Sequence, residues 1–149
     1  METDLITIVK GIDIYNFYIE NYYGLSCYVF SYKKNNDFLL CTIPGVFFEE
    51  ILNILLLNVK DKKCELLERF LDGGCDFTFE FQENYLGAWW KVPDKFSFIE
   101  NINSIDINEL LNNEKYSFIH DIDSLIYILK KLKEYLDDSL SYDLFLHYS

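Results

Sequence analysis

Basic charge is what this chain lacks most. Its 13 lysines and arginines face 25 acidic residues, and Arg69 is its sole arginine. Proteins that read nucleic acid neutralise phosphates with clustered Lys and Arg, so a formal charge of −12 argues against a phosphate-holding protein and for a basic partner. The nearest approaches to a cluster are Lys33-Lys34 and Lys60, Lys62 and Lys63, and these sit among Asp37, Asp61 and Glu65. A direct nucleic-acid ligand is therefore not expected.

Other shortages narrow the field further. Ala88 is the only alanine while Ile, Asn, Lys, Phe and Tyr are abundant, the pattern of an AT-rich genome, so part of the aromatic richness is codon bias. Cys27, Cys41, Cys64 and Cys75 are irregularly separated with no Cys-x-x-Cys, which predicts free, mostly buried thiols. Pro44 and Pro93 punctuate elements, and no Pro/Gly/Ser linker or internal repeat divides the chain. Met1-Glu2-Thr3-Asp4 lacks the basic start of a signal peptide. The longest apolar stretch, Ile51 to Val59, is broken by Asn53 and Asn58 and is far short of a membrane span. A cytoplasmic protein without a membrane partner is expected.

What is present is enough for a core. Half of the residues are hydrophobic and 12 tyrosines, 13 phenylalanines and two tryptophans are included, too apolar a composition for an acidic disordered tail. A folded chain of this length buries roughly 68–70% of the surface its unfolded form exposes. One globular domain over residues 1–149 is expected.

Periodicity assigns most of the elements. Ile6, Ile8 and Val9 begin a strand; Asp13 to Tyr23, ahead of Gly24, fits a helix or a strand, with helix preferred. Leu25 to Tyr32 and Phe38 to Ile43 flank Lys33 to Asp37 as a hairpin that Pro44-Gly45 ends. Val46 to Val59 reads as a buried helix with one polar stripe, Glu49, Glu50 and Asn53. Asp61 would cap a second helix with Cys64, Leu67, Phe70 and Leu71 inward, closed by Gly73-Gly74. Asp76 to Gln82 alternates strictly, and Tyr85 to Lys91 returns after Glu83-Asn84 as its hairpin partner. Phe96 to Ile99 and Tyr116 to Ile119 read as short strands, and Ile107 to Leu111 as a short helix. Asp123 caps a final amphipathic helix with Leu125, Leu129, Leu132, Leu136 and Leu140 on one face, and Tyr142 to His147 adds an edge strand. Hairpins segregated from helices, with no βαβ alternation, predict an α+β fold: a mainly antiparallel sheet packed with three or four helices.

Chemistry-bearing groups are few. Only His120 and His147 are available to activate a cysteine, and neither sits in a local signature. His120-Asp121-Ile122-Asp123 is the one dense run of metal-capable groups, yet Asp and Ser ahead of an apolar helix are also what a helix N-terminus requires. Glu80 and Glu83 are the nearest to a paired acid and base, but both belong on a solvated face and turn. No catalytic residue, metal site or cofactor is assigned.

The outward face of the Asp76 to Lys91 hairpin is the main candidate for binding. With a two-residue turn, Asp76, Thr78, Glu80 and Gln82 lie beside Tyr85 and Trp89, an aromatic and acidic mixture suited to anchoring a basic partner if this face is wet. If a helix covers the face, Trp89 is core instead. Asp137 and Asp138 close the last helix at the negative end of its dipole, a placement that costs roughly 0.3–1 kcal/mol unless a cation is near. A lysine of the chain or a basic partner could supply that cation, or the helix ends earlier. From Glu100 onward ten carboxylates face four lysines, which concentrates half of the net charge in the last third.

In its size, acidity, aromatic content and lack of catalytic machinery the chain resembles the immunity proteins that neutralise bacterial toxins, including those of contact-dependent growth inhibition systems. The resemblance implies a basic toxin, such as a nuclease domain, occluded by carboxylates that imitate its substrate's phosphates. Asp76, Thr78, Glu80, Tyr85 and Trp89 would form the contact, with Asp137 and Asp138 behind them. Two other classes suit the same features: a phage or mobile-element mimic of nucleic acid that blocks a host nuclease, and a small metal-dependent hydrolase using His120 with Asp121 or Asp123.

Overall fold

The structure, a computed structural model, describes residues 6–10, 27–35, 37–58, 90–92 and 94–148. Their elements in chain order are β1 (Ile6–Lys10), β2 (Cys27–Lys34), β3 (Asp37–Pro44), α1 (Gly45–Asn58), β4 (Trp90–Lys91), α2 (Lys95–Asn103), α3 (Ile107–Asn112), a single 3-10 turn (Glu114–Tyr116), α4 (Ile122–Asp138) and β5 (Phe145–Tyr148). The strands form one sheet in the order β1-β3-β2-β5-β4 with every neighbouring pair antiparallel. The fold is α+β, with four α-helices among the described residues.

The β2–β3 hairpin is longer and its turn tighter than the sequence predicts. Lys34 pairs with Asp37, so Lys33, Lys34 and Asp37 belong to the ladder and not to the turn. Asn35 takes φ 58, a left-handed conformation that its short polar side chain tolerates. Tyr28, Phe30 and Tyr32 of β2 share one face with Ile43, Cys41 and Leu39, their partners on β3. That face meets the helices: Phe48 of α1 lies 4.3 Å from Tyr28 and 5.6 Å from Phe30, and Phe98 of α2 lies 5.7 Å from Phe30. Tyr135 of α4 packs against Tyr32 and donates its hydroxyl to the Leu39 carbonyl at 2.6 Å. The other face of these strands is dry as well, since Val29, Ser31, Phe38 and Leu40 are all buried. A strand screened on both sides reads as a continuous apolar run rather than an alternation, which is how residues 25–32 look.

Helix α4 follows the predicted pattern over Leu125, Leu129, Leu132 and Leu136, all fully buried, but Leu140 lies past its end and is exposed. Its cap is Asp121, two residues before Asp123, with the carboxylate accepting from the Ser124 N–H at 3.2 Å. Three further expectations are corrected. Phe96 to Ile99 is helix, within α2, because Phe98, Ile99 and Ile102 are the buried set and Phe96 points to solvent; the spacing is helical once Ile102 is included. Asp94, at φ 46, starts that helix and accepts from the Ser97 N–H. Tyr116 to Ile119 is a turn, with Tyr116 buried and Phe118 exposed. The C-terminal strand is interior: β5 lies between β2 and β4, with Phe30 opposite Leu146 and Lys91 opposite Phe145.

Cys27 and Cys41 are free and buried. Burial pushes the Cys41 thiol up to about 12 and raises that of Cys27, so neither holds the thiolate that nucleophilic or redox chemistry needs at neutral pH. No helix among the described residues is long and apolar enough to cross a membrane.

Candidate functional site

The acidic end of α4 is built against its own dipole. The helix runs through Asp138 with no basic residue in its last turn, and both Asp137 and Asp138 are exposed. The cation that answers the dipole comes from elsewhere in the chain. Lys95, at the start of α2, reaches across to donate its ammonium to the carbonyls of Ser139 (3.3 Å), Leu140 (2.8 Å) and Tyr142. Of the three ways of accommodating this helix end, the structure shows a lysine of the chain itself. The carboxylates stay outside that arrangement: Asp137 accepts from the Asn103 amide at 3.2 Å, and neither aspartate forms an ion pair among the described residues. Lys133, one turn earlier, is engaged with the Ile105 carbonyl at 3.0 Å. Desolvation lowers its pKa, against the attraction of Asp106 and Asp137.

At the other end of α4, His120 does not face the aspartates that follow it. Its Nδ1 lies 2.6 Å from Glu50 Oε1, and its backbone N–H donates to the same oxygen at 3.3 Å. The ring stacks on Phe47 at 5.0 Å. Glu50 therefore leaves the solvated stripe that sequence assigned to it: Glu49 and Asn53 are exposed on α1, while Glu50 is turned inward and only 7% exposed. Its Oε2 is buried without a hydrogen-bond partner among the described residues. Asp121 is engaged in capping, taking the Ser124 hydroxyl at 2.8 Å and N–H at 3.2 Å, which together hold its carboxyl below the usual range. Asp123 is exposed in the first turn. Among the described residues no three His, Cys, Asp or Glu side chains are placed to hold a metal ion. The local run that suggested a metal is, in space, a helix cap beside a long-range carboxylate–imidazole pair.

A second anchor lies two turns along α1. Asn58 donates to the Tyr116 hydroxyl at 2.9 Å, and Lys115 reaches the Asn58 side chain at 3.4 Å. Glu50 and Asn58 between them fasten the connection between α3 and α4 to α1. Over the outer side of that connection lies a shallow, open groove of about 480 Å3, lined by Leu110, Leu111, Glu114, Tyr116, Ile119 and Ile122 with polar neighbours. Leu111 is 53% exposed and Phe118, edge-on to Tyr116, is 41% exposed. No single periodicity marks this groove in the sequence, because its members are scattered across a short helix and two turns.

The hairpin face nominated from sequence, with Asp76, Thr78, Glu80, Gln82, Tyr85 and Trp89, lies outside the described residues, as do Glu83, Cys64 and Cys75. Of that segment the structure describes only its end, where Trp90 and Lys91 pair with β5. Glu50, Asn58 and Lys95 are the residues the sequence did not single out. None of the three carries a local signal: Glu50 stands beside Glu49 in the same apolar run, and the roles of all three rest on partners more than 40 residues away. No protein-family model matches the chain, and no curated protein and no solved structure is detectably similar to it.

Proposed function

We propose that this chain binds and neutralises a basic protein, in the manner of an immunity protein set against a toxin whose own substrate is a polyanion. The observation that carries the reading is the end of α4: two exposed carboxylates stand at the carbonyl end of a helix, where they oppose the dipole, and the cation at that end is occupied with main-chain oxygens. Charges held where they weaken the fold are suited to a partner outside it. The net charge of −12 would steer a basic partner into encounter, and the proposed contact joins Asp137 and Asp138 to Asp76, Thr78, Glu80, Tyr85 and Trp89. Catalysis has no part in this reading.

The test is a tagged pull-down at low and high salt, followed by association kinetics on the protein recovered. A single basic protein, whose toxicity co-expression of this chain suppresses, is the expected outcome. Charge reversal at Asp137 should then slow association more than it speeds dissociation, because exposed charges act on encounter. Recovery of no basic protein at either salt would remove the reading.

A further inference from the structure

We infer that the groove between α3 and the start of α4 is a docking site for a basic segment of the partner that carries an exposed apolar side chain. The inference rests on the proposed function for the sign of the partner's charge, and on the structure for the place.

The groove is too open to enclose a small molecule, since ligand clefts bury about 70–90% of what they hold. An apolar side chain presented from a protein surface needs only one side covered, and Leu111, Ile119 and Ile122 offer the apolar contact. The charge around it is one-sided. Residues 106–123 contain Asp106, Glu109, Glu114, Asp121 and Asp123 against a single cation, Lys115. That cation is already engaged, 3.1 Å from Glu109 and above the Tyr116 ring. Glu114 lines the groove and has no ion pair among the described residues. An apolar groove with that unpaired carboxylate in its lining, in a stretch whose only lysine is already engaged, complements an apolar residue flanked by Lys or Arg. The wall is also fixed in advance: the Glu50–His120 and Asn58–Tyr116 contacts tie both of its turns to α1, which lowers the ordering cost of binding.

The experiment is an amide NMR titration of the full chain with three synthetic peptides at low salt: alternating Lys/Leu, Lys/Ser of the same charge, and alternating Glu/Leu. The Lys/Leu peptide should move the amides of 110–122 saturably, the Lys/Ser peptide should bind at least tenfold more weakly there, and the Glu/Leu peptide should leave them in place. Leu111→Gln and Glu114→Lys, both at exposed positions, should each weaken the Lys/Leu response at 110–122 at least fivefold without altering the rest of the spectrum. If the Lys/Leu peptide moves only the amides around Asp137 and Asp138, the groove is refuted while the acidic-partner reading stands. If the Glu/Leu peptide binds the groove equally, the basic partner is refuted for this site. A concentration-dependent dimer that shields 110–122 and is lost in Leu111→Gln would overturn the proposal in favour of a second copy of the chain.

Discussion

At the N-terminus of α4 the carboxylate of Asp121 is bound to the helix it begins, accepting from the Ser124 N–H and hydroxyl, whereas at the C-terminus Asp137 and Asp138 are exposed and Lys95 takes the carbonyl of the capping Ser139 and those of Leu140 and Tyr142 just beyond it. Both placements use the same residue type. A negative charge at the first turn satisfies unpaired N–H groups and the positive dipole end, so it needs no explanation beyond folding. A negative charge at the last turn has no such role. The contrast separates acids that build the helix from acids the helix tolerates, a distinction total charge cannot make.

The largest effect should come from the residue that precedes the N-terminal cap. His120→Ala removes the imidazole from Glu50 and leaves the buried carboxyl with the residue-120 N–H as its one hydrogen-bond donor among the described residues, so it should destabilise by about 2–3 kcal/mol in urea unfolding. Glu50→Leu removes the buried carboxyl together with the need for its partner and should be milder. The reverse order would mean that Glu50 is satisfied by something other than His120. Hydrogen exchange at 115–121 should quicken in both variants, because each releases this connection from α1.

The C-terminal end can be sharpened from both sides of the same carbonyls. Lys95→Met takes away the donor to Ser139, Leu140 and Tyr142 and should cost about 2 kcal/mol. Asp138→Lys should stabilise the free protein by about 0.3–1 kcal/mol, and by more in the Lys95→Met background, where the dipole is unanswered. Stabilisation accompanied by slower association with the partner is the pairing the proposed function requires. If Asp138→Lys destabilises instead, the aspartate is a folding residue and the two ends of α4 are not different in kind.

Much of the scaffold was legible because its signals are local. The β2–β3 hairpin, α1 and α4 each carry an unbroken apolar pattern ended by a turn residue, and the structure shifts their limits by one or two positions. What failed depended on distance or on a window drawn too short. Residues 96–99 alternate when taken alone and become helical only with Ile102, and the sequence around β5 reads as an edge because its second neighbour, β4, lies more than 50 residues earlier. The inward turn of Glu50 follows from His120, 70 residues away, so nothing in residues 45–58 could show which of three polar residues would be buried. The candidate site was legible in part: the acids of α4 stand where expected, while the groove is assembled from α3, two turns and the helix start, with no single periodicity to mark it.

The smallest effect tests the N-terminal half of the comparison through pH. The hydrogen bonds from the Ser124 hydroxyl and N–H hold the Asp121 carboxyl below the usual aspartate range, so the native state binds its proton less readily than the unfolded chain does. The resulting stabilisation is fully present above about pH 4 and is lost as pH falls through the lower, folded-state value. Asp121→Asn keeps a capping oxygen but carries no titrating charge, so its melting temperature should be only a degree or two below the parent's at pH 7, with the gap closing between about pH 4 and pH 2. A gap that stays constant to pH 2 would show that the cap acts through shape alone. In that case the carboxylate at the start of α4 would be as dispensable to the fold as those at its end, and the acidity of this chain would have to be explained by its partner at both ends of the helix.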